Sequence, residues 1–411
     1  MRSQVCVTGI GIVSPLGLDT QSTWTSLIKG VSGITTIKSF DTTEFITKIA
    51  GEIPDFDPLN YLNHKQARRM DRFAQLATAA TQEALGQARL EMPNNGNNIA
   101  AIIGSGIGGI ITISNQYDIL RSQGPKRVNP FFLPMMLADM APGQLSMIFG
   151  TTGPNFTIVS SCSSGADAIG IGARLIQKGD VEIAIAGGTE APICPIAVAG
   201  FNACQALSRK NEAPSLASKP FDVNRDGFVM SEGATILVLE STASVKKRKV
   251  TPLAILSGYG ATSDAYHVTQ PDPEGKGAIQ AMTTALRNAS LMPTDIDYVN
   301  AHGTSTPLND ILETRALKKV FKEHSNSLPI SSTKSMTGHL LGATGALEAA
   351  IAVQVIQNGI IPPTINLCNP DPDCDLDYVA HKSRQTPVKT VMSNSLGFGG
   401  HNTSLIFQAT D

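Results

Sequence analysis

Two kinds of hydrophobic patterning alternate along the chain. Short β-branched and apolar runs read as strands at Gln4–Thr8, Ile99–Gly104, Phe156–Ser160, Val181–Ala186 and Thr235–Leu239. They recur at Leu253–Gly258, Tyr298–Ala301, Val388–Ser393 and Ser404–Gln408. Between them apolar residues return at i, i+3 and i+4. This predicts helices over Thr20–Lys29, Lys65–Ala88, Pro142–Phe149, Gly165–Gln177, Lys276–Ala289, Asp310–Phe321 and Gly345–Gln357. Such alternation indicates an α/β fold with helices on both sheet faces. Gly179 stops one helix, and Pro93 with the run NNGNN predicts a loop before the Ile99 strand. The polar, charged run Ser244–Thr251 marks a boundary between two halves, 1–250 and 251–411, which share a loose plan.

Composition narrows the class. At 411 residues, 42% hydrophobic and 16% charged, the chain suits two lobes or one large duplicated core. A formal net charge of −2 gives no general attraction to nucleic acid or membrane, so any site for an acidic partner has to be a local basic patch. The six cysteines form no C-x-x-C pair and show no zinc-ligand spacing with the seven histidines. No metal and no disulfide framework is expected, and a reducing cytoplasm is the expected compartment. The N-terminal residues lack a signal-peptide layout, and the longest apolar run, near 346–356, is interrupted by Glu348 and Gln354. Membrane insertion is therefore not expected.

Three motifs look like ligand sites and read better as structure. TGIGIVSPLG near the N-terminus has Ser14 where a dinucleotide loop needs its third glycine, so it reads as a strand and a tight turn. DVNRDGFVMSE (222–232) matches a calcium loop at Asp222, Asn224, Asp226 and Gly227, but Gly233 stands where the bidentate glutamate belongs. It reads as a hydrogen-bonded turn. GSGIGG (104–109) lacks the Lys-Ser/Thr of a phosphate loop, which leaves close backbone approach to a ligand or to another chain.

SSCSSG (160–165) is different. It places Cys162 between a strand and a helix start, where the helix dipole and free N–H groups stabilise a thiolate. A buried structural cysteine explains that position equally well on its own. Further segments change the balance. AHGTSTP sets His302 at a strand end, and STKSMTGHLLGATGA brings Lys334 and His339 to the start of an almost wholly apolar helix. Such a helix is buried, so both side chains need partners or a task. SNSLGFGGHN places Phe398 among glycines, in a loop whose N–H groups can bind an oxyanion.

Together these segments resemble the β-ketoacyl-[acyl-carrier-protein] synthases, in the type II elongating branch, over essentially the whole length. VTGIGIVSPLG, AGGTE, RDGFVMSEGA, SDAYH, PPTINL and GSGIGG also carry the resemblance. It implies a thiolase-like, five-layer αβαβα fold of two pseudo-duplicated halves, the first carrying the nucleophile and the second the histidines, in a homodimer. It implies decarboxylative condensation of malonyl-acyl carrier protein with an acyl group on Cys162, extending a fatty acid by two carbons. By the same match His302 and His339 bind the malonyl thioester and stabilise its enolate. Lys334 has an electrostatic role with Glu348 as its partner, and Phe398 gates the site and shares an oxyanion hole with Cys162. Thr304 and Thr306 would bind the phosphopantetheine arm. Ile107 would lie at the acyl pocket, with Phe132 near its end at the dimer interface. Lys65, Arg68, Arg69, Lys126 and Arg127 would form the basic patch for the acidic acyl carrier protein.

No bound cofactor is implied, because phosphopantetheine arrives on the carrier. Some relatives hold a monovalent cation near the positions of Asn300, Ala301, Glu348, Ser393 and Asn394. The chain departs from the family pattern at Gln205, where an arginine is common, with Arg209 and Lys210 close by. It departs also at Ser161 and Ser163 beside the cysteine, at Asn309 and at His401. The serines read as small residues at a crowded junction. A type II polyketide or polyene ketosynthase is the alternative enzyme. A non-catalytic chain-length partner is disfavoured by the intact Cys162, His302 and His339.

Overall fold

The computed structural model describes residues 4–92 and 98–410. The predicted NNGNN loop falls mostly outside them. Ten of the strands assemble into two five-stranded sets, and two short hairpin-like pairs lie apart from them. The first comprises β1 (Val5–Val13), β2 (Ile99–Gly104), β3 (Asn155–Ile158), β4 (Ile183–Glu190) and β5 (Gly233–Ser241). The second comprises β6 (Ala254–Ser263), β7 (Tyr298–Asn300), β8 (Ile330–Ser331), β9 (Thr390–Gly397) and β10 (His401–Gln408). The spatial orders are β3-β2-β4-β5-β1 and β8-β7-β9-β10-β6. Each is 3-2-4-5-1 in its own numbering, with the same parallel and antiparallel pairings. The sets join where Val5–Val7 pairs antiparallel with Ala254–Leu256.

Helices complete five layers. The outer helix α1 (Arg72–Gln87) covers β1 and β5. The central helices α2 (Ser164–Lys178) and α4 (Thr344–Asn358) pack between the two sheets and against each other, and α3 (Lys276–Ala289) covers β6 and β10 outside. The duplication reaches single residues. Cβ atoms on Gly9 and Gly11 would lie about 2 Å from the carbonyl oxygens of Ala84 and Ala80 on α1; on Gly258 and Gly260 they would strike Ala285 and Ala281 on α3. Glycine at both pairs lets a helix lie directly on its strand.

Differences from the sequence reading have local causes. The helix expected over Lys65–Ala88 breaks at Arg68–Asp71, because the Asp71 carboxylate caps a new helix by accepting from the Phe73 N–H. The run 244–251 is half helix: Thr242–Arg248 is capped by Ser241, and Arg248 reaches back to the buried Glu240. Helices at Ile110–Gln123 and Pro195–Ala203 were not predicted, since neither carries a clean apolar stripe.

Candidate active site

Two strand-turn-helix junctions face each other at the centre. After β3, Ser161–Ser163 make one 3₁₀ turn that runs into α2, with Ser161 at φ +53°. In the second half Leu341–Ala343 make the matching turn into α4, with Leu341 at φ +47°. A left-handed conformation at a non-glycine residue costs about 1–3 kcal/mol and is held only by surrounding structure. The first turn carries Cys162 onto the wall of a cavity of about 520 Å³.

His302 and His339, both buried, stand on the same wall, and their rings meet edge to face with centroids 5.5 Å apart. His339 Nε2 lies 3.1 Å from Cys162 Sγ, while its Nδ1 lies 2.9 Å from Thr344 Oγ1. His302 is held from behind: its N–H and that of Gly303 donate to the two oxygens of Glu313, at 2.7 and 2.8 Å. Its Nδ1 is buried and has no hydrogen-bond partner among the described residues. Lys334 Nζ donates to the His302 carbonyl oxygen at 2.5 Å and pairs with Glu348 in a fully buried contact.

The electrostatics of this cluster correct one expectation. Burial pushes the Cys162 thiol up to about 11. The Lys334 charge and the N–H groups of Phe398 and Cys162 itself pull it back only in part. The resting sulfur is therefore a thiol, not the thiolate the helix start suggested: desolvation outweighs the dipole. Burial, then the Lys334 ammonium, holds both histidines well below their ordinary 6.5, so both are neutral.

The remaining predicted residues divide. Ile107, Thr304, Thr306, Phe398 and Gln205 line the cavity, and the two threonine hydroxyls lie 2.9 Å apart. Phe132 begins a short helix, Phe132–Met136, and does not reach the cavity wall within one chain. Lys65, Arg68, Arg69, Lys126 and Arg127 are all exposed, and among the described residues none of them pairs with a carboxylate. The Arg69 guanidinium lies 4.1 Å above the Phe131 ring, which follows Lys126 and Arg127 in the chain.

Two motifs find structural employment. The GSGIGG N–H groups turn inward onto the buried Glu190 carboxylate, which accepts from Gly106 at 2.7 Å and Ile107 at 3.2 Å, and from Gly342 at 2.9 Å. They are not free for a phosphate. In the calcium-like loop, Asp222 accepts from the N–H groups of Asn224, Cys368 and Asn369, so it serves as a turn anchor. Sequence reasoning missed Glu190, Glu313 and Thr344, the groups that hold the site from behind; nothing local distinguishes them from other helix and strand polar residues. Cys162, His302 and His339, grouped in one site by the resemblance, each bring one ligand-type atom within 4.8 Å of the others.

The chain matches the family models described as Beta-ketoacyl synthase, N-terminal domain, over residues 2–244, and Beta-ketoacyl synthase, C-terminal domain, over residues 253–368. It belongs to the β-ketoacyl synthase family. A 3-oxoacyl-[acyl-carrier-protein] synthase 2 of Synechocystis is 46% identical over 408 residues, covering 99% of this chain and 98% of that protein. Among solved structures, a β-ketoacyl synthase from Burkholderia phymatum superposes with a TM-score of 0.93 at 34% identity, over the full length of both chains. A type II polyketide-synthase ketosynthase, solved with its acyl-carrier protein, gives 0.89 at 31% identity, again over both full lengths. The two-half β-ketoacyl synthase architecture thus accounts for the duplicated sheet. In this synthase the candidate nucleophile comes from one half and both histidines from the other.

Proposed function

We propose that the protein is a 3-oxoacyl-[acyl-carrier-protein] synthase that elongates fatty acids by two carbons. The observation that carries the reading is Cys162 Sγ within 3.1 Å of His339 Nε2, with His302 on the same cavity wall. The polyketide alternative has weaker support, because a relative of the fatty-acid class aligns at 46% identity against 31% for the polyketide ketosynthase.

The first half-reaction is thioester exchange. Cys162 attacks the acyl thioester of the carrier, and its proton leaves on the phosphopantetheine sulfur. The N–H groups of Cys162 and Phe398 face the sulfur and suit the oxyanion of the tetrahedral intermediate. Malonyl-acyl carrier protein then enters along Thr304 and Thr306. Its carboxylate departs as carbon dioxide, and the enolate oxygen that forms takes hydrogen bonds from His302 and His339. Both are neutral, so they stabilise the enolate without protonating it. The carbanion attacks the acyl carbon, the C–S bond to Cys162 breaks, and the thiolate regains a proton from water. A Thr344 hydroxyl that donates to Nδ1 keeps the His339 proton on Nε2, where the enolate oxygen takes its hydrogen bond.

Carrier docking on the Arg69 face is supported by its unpaired charge. A homodimer through β3 is supported by that strand's open edge and by exposed Phe156, Val159, Leu133 and Met147 around it. A second copy would also give Phe132 its place beside the acyl pocket. Among the described residues Glu348 Oε2 and both Asn300 amide atoms are buried without partners; the two oxygens fit a hard monovalent cation, and Asn300 Nδ2 would need a separate acceptor. No helix is long and apolar enough to cross a membrane among the described residues. The compartment is proposed to be the cytoplasm, where the carrier substrates would be met. The test is mass spectrometry of the protein with acyl-loaded carrier: wild type gains the acyl mass, Cys162→Ala gains nothing, and His302→Ala is acylated but does not condense. An adduct on Cys162→Ala overturns the assignment.

A further inference from the structure

The hydroxyl of Ser163 is fully buried and lies 3.1 Å from two carbonyl oxygens, those of Ser395 and His401. These residues flank the Phe398 loop on its two sides. β9 runs through Ser395 to Gly397, the loop turns at Phe398–Gly400, and β10 begins at His401. Gly397 and His401 are register partners at the loop's neck. One hydroxyl of the nucleophile turn, sharing its single proton between the two carbonyls, therefore touches both strands that present the loop. A second contact lies alongside: a Cβ on Gly397 would come within 3.0 Å of the Cys162 nitrogen and of the Ser160 oxygen, so the loop backbone rests directly on the turn.

The arrangement matters because the two N–H groups aimed at the sulfur belong to different halves of the molecule. Cys162 supplies one from the turn and Phe398 the other from the loop. Nothing in the covalent chain fixes their separation, and oxyanion stabilisation depends on it to a fraction of an ångström.

We propose that Ser163 is a positioning residue whose hydroxyl clamps the Phe398 loop to the nucleophile turn and so sets the spacing of the two oxyanion donors. The proposal rests on the synthase reading above. The loop has other anchors: Gly399 N–H donates to the Val268 carbonyl oxygen at 2.7 Å, and the Gly400 carbonyl oxygen accepts from the Asp264 N–H and from Asn402 Nδ2, both at 2.9 Å. These tie it to the second half of the molecule, whereas the Ser163 hydroxyl ties it to the nucleophile turn.

The test separates acyl transfer, which needs the oxyanion hole, from alkylation by iodoacetamide, which does not. Ser163→Ala should slow Cys162 acylation from acyl-loaded carrier by roughly ten- to a hundredfold in kcat, with KM little changed and alkylation near wild type. Ser163→Thr, which keeps the hydroxyl, should restore most of the rate. Gly397→Ala, which damages the same contact from the loop side, should reproduce the split and serves if Ser163→Ala does not fold. Wild-type acylation in Ser163→Ala, parallel loss of acylation and alkylation, or a Thr variant as slow as Ala would each overturn the clamp. A wild-type protein that takes no acyl group at all would instead overturn the synthase reading.

Discussion

Lys334 and Glu348 form an ion pair in which both side chains are only about 1% exposed, and the same ammonium holds the carbonyl oxygen of His302. The pair fixes the strand-end loop carrying one histidine to the helix behind the other. Burial keeps both imidazoles neutral, and the Lys334 charge adds to the effect. Removing one partner strands the other in a desolvated core. Lys334→Ala should destabilise the protein by roughly 3–5 kcal/mol, read as a lower urea midpoint. Lys334→Met with Glu348→Leu removes both charges and should recover most of that loss. A single variant as stable as wild type would mean the pair contributes nothing.

Stability should also fall as pH rises through neutrality. Burial pushes Glu313 up to about 7, so the folded state holds this proton more tightly than the unfolded chain. Its contribution is lost as pH rises from the ordinary 4.5 through that value. The two histidines act oppositely, since their depressed values cost stability as pH falls below 6.5. Above 6.5 they are neutral in both states, while Glu313 still titrates. The urea midpoint should therefore drop between about pH 6.5 and 8, and Glu313→Gln should flatten the slope. A midpoint that rises over that range would contradict the assignment.

The elements were legible where periodicity and function coincide. Ile99–Gly104 and Lys276–Ala289 were placed with their observed ends, because a continuous apolar run and a clean stripe bound them. Cys162, His302 and His339 were legible as types at strand ends. Their environment was not. The sequence suggested a thiolate from the helix start, yet burial at the centre of the fold reverses this, and the Glu190 charge adds to it. The Ser163 grip was equally hidden: a serine beside a cysteine has no pattern, and its acceptors lie more than 200 residues away. The duplicated strand order was visible only as a loose similarity of plan, since strands seven and eight are two or three residues long.

The thiol assignment has a kinetic signature. With Cys162 raised to about 11 and both histidines neutral, the thiolate fraction grows about tenfold for each pH unit below that value. Iodoacetamide inactivation should rise with a slope near one on a logarithmic scale from pH 7 to 9, without a plateau. A rate that levels off near pH 6 would show a thiolate–imidazolium pair and overturn the neutral resting state. Lys334→Ala should lower the rate at each pH, because the nearest positive charge that favours the thiolate is gone.

Carrier recognition should reside in the Arg69 face and should be separable from the chemistry. Arg69 is exposed, carries no carboxylate partner among the described residues, and is oriented by Phe131 beneath it. An acidic carrier gains from that charge chiefly during encounter and docking, through attraction that salt screens. Arg69→Glu should raise KM for acyl-loaded carrier about tenfold at low ionic strength while kcat changes little. The gap between variant and wild type should narrow as salt is raised. Phe131→Ala should have a smaller effect of the same kind, since it frees the guanidinium without removing it. Acylation by a small acyl-pantetheine thioester, which has no carrier to dock, should be unaffected in both. A fall in kcat with the small thioester would place the defect in the cavity instead and remove Arg69 from the docking face.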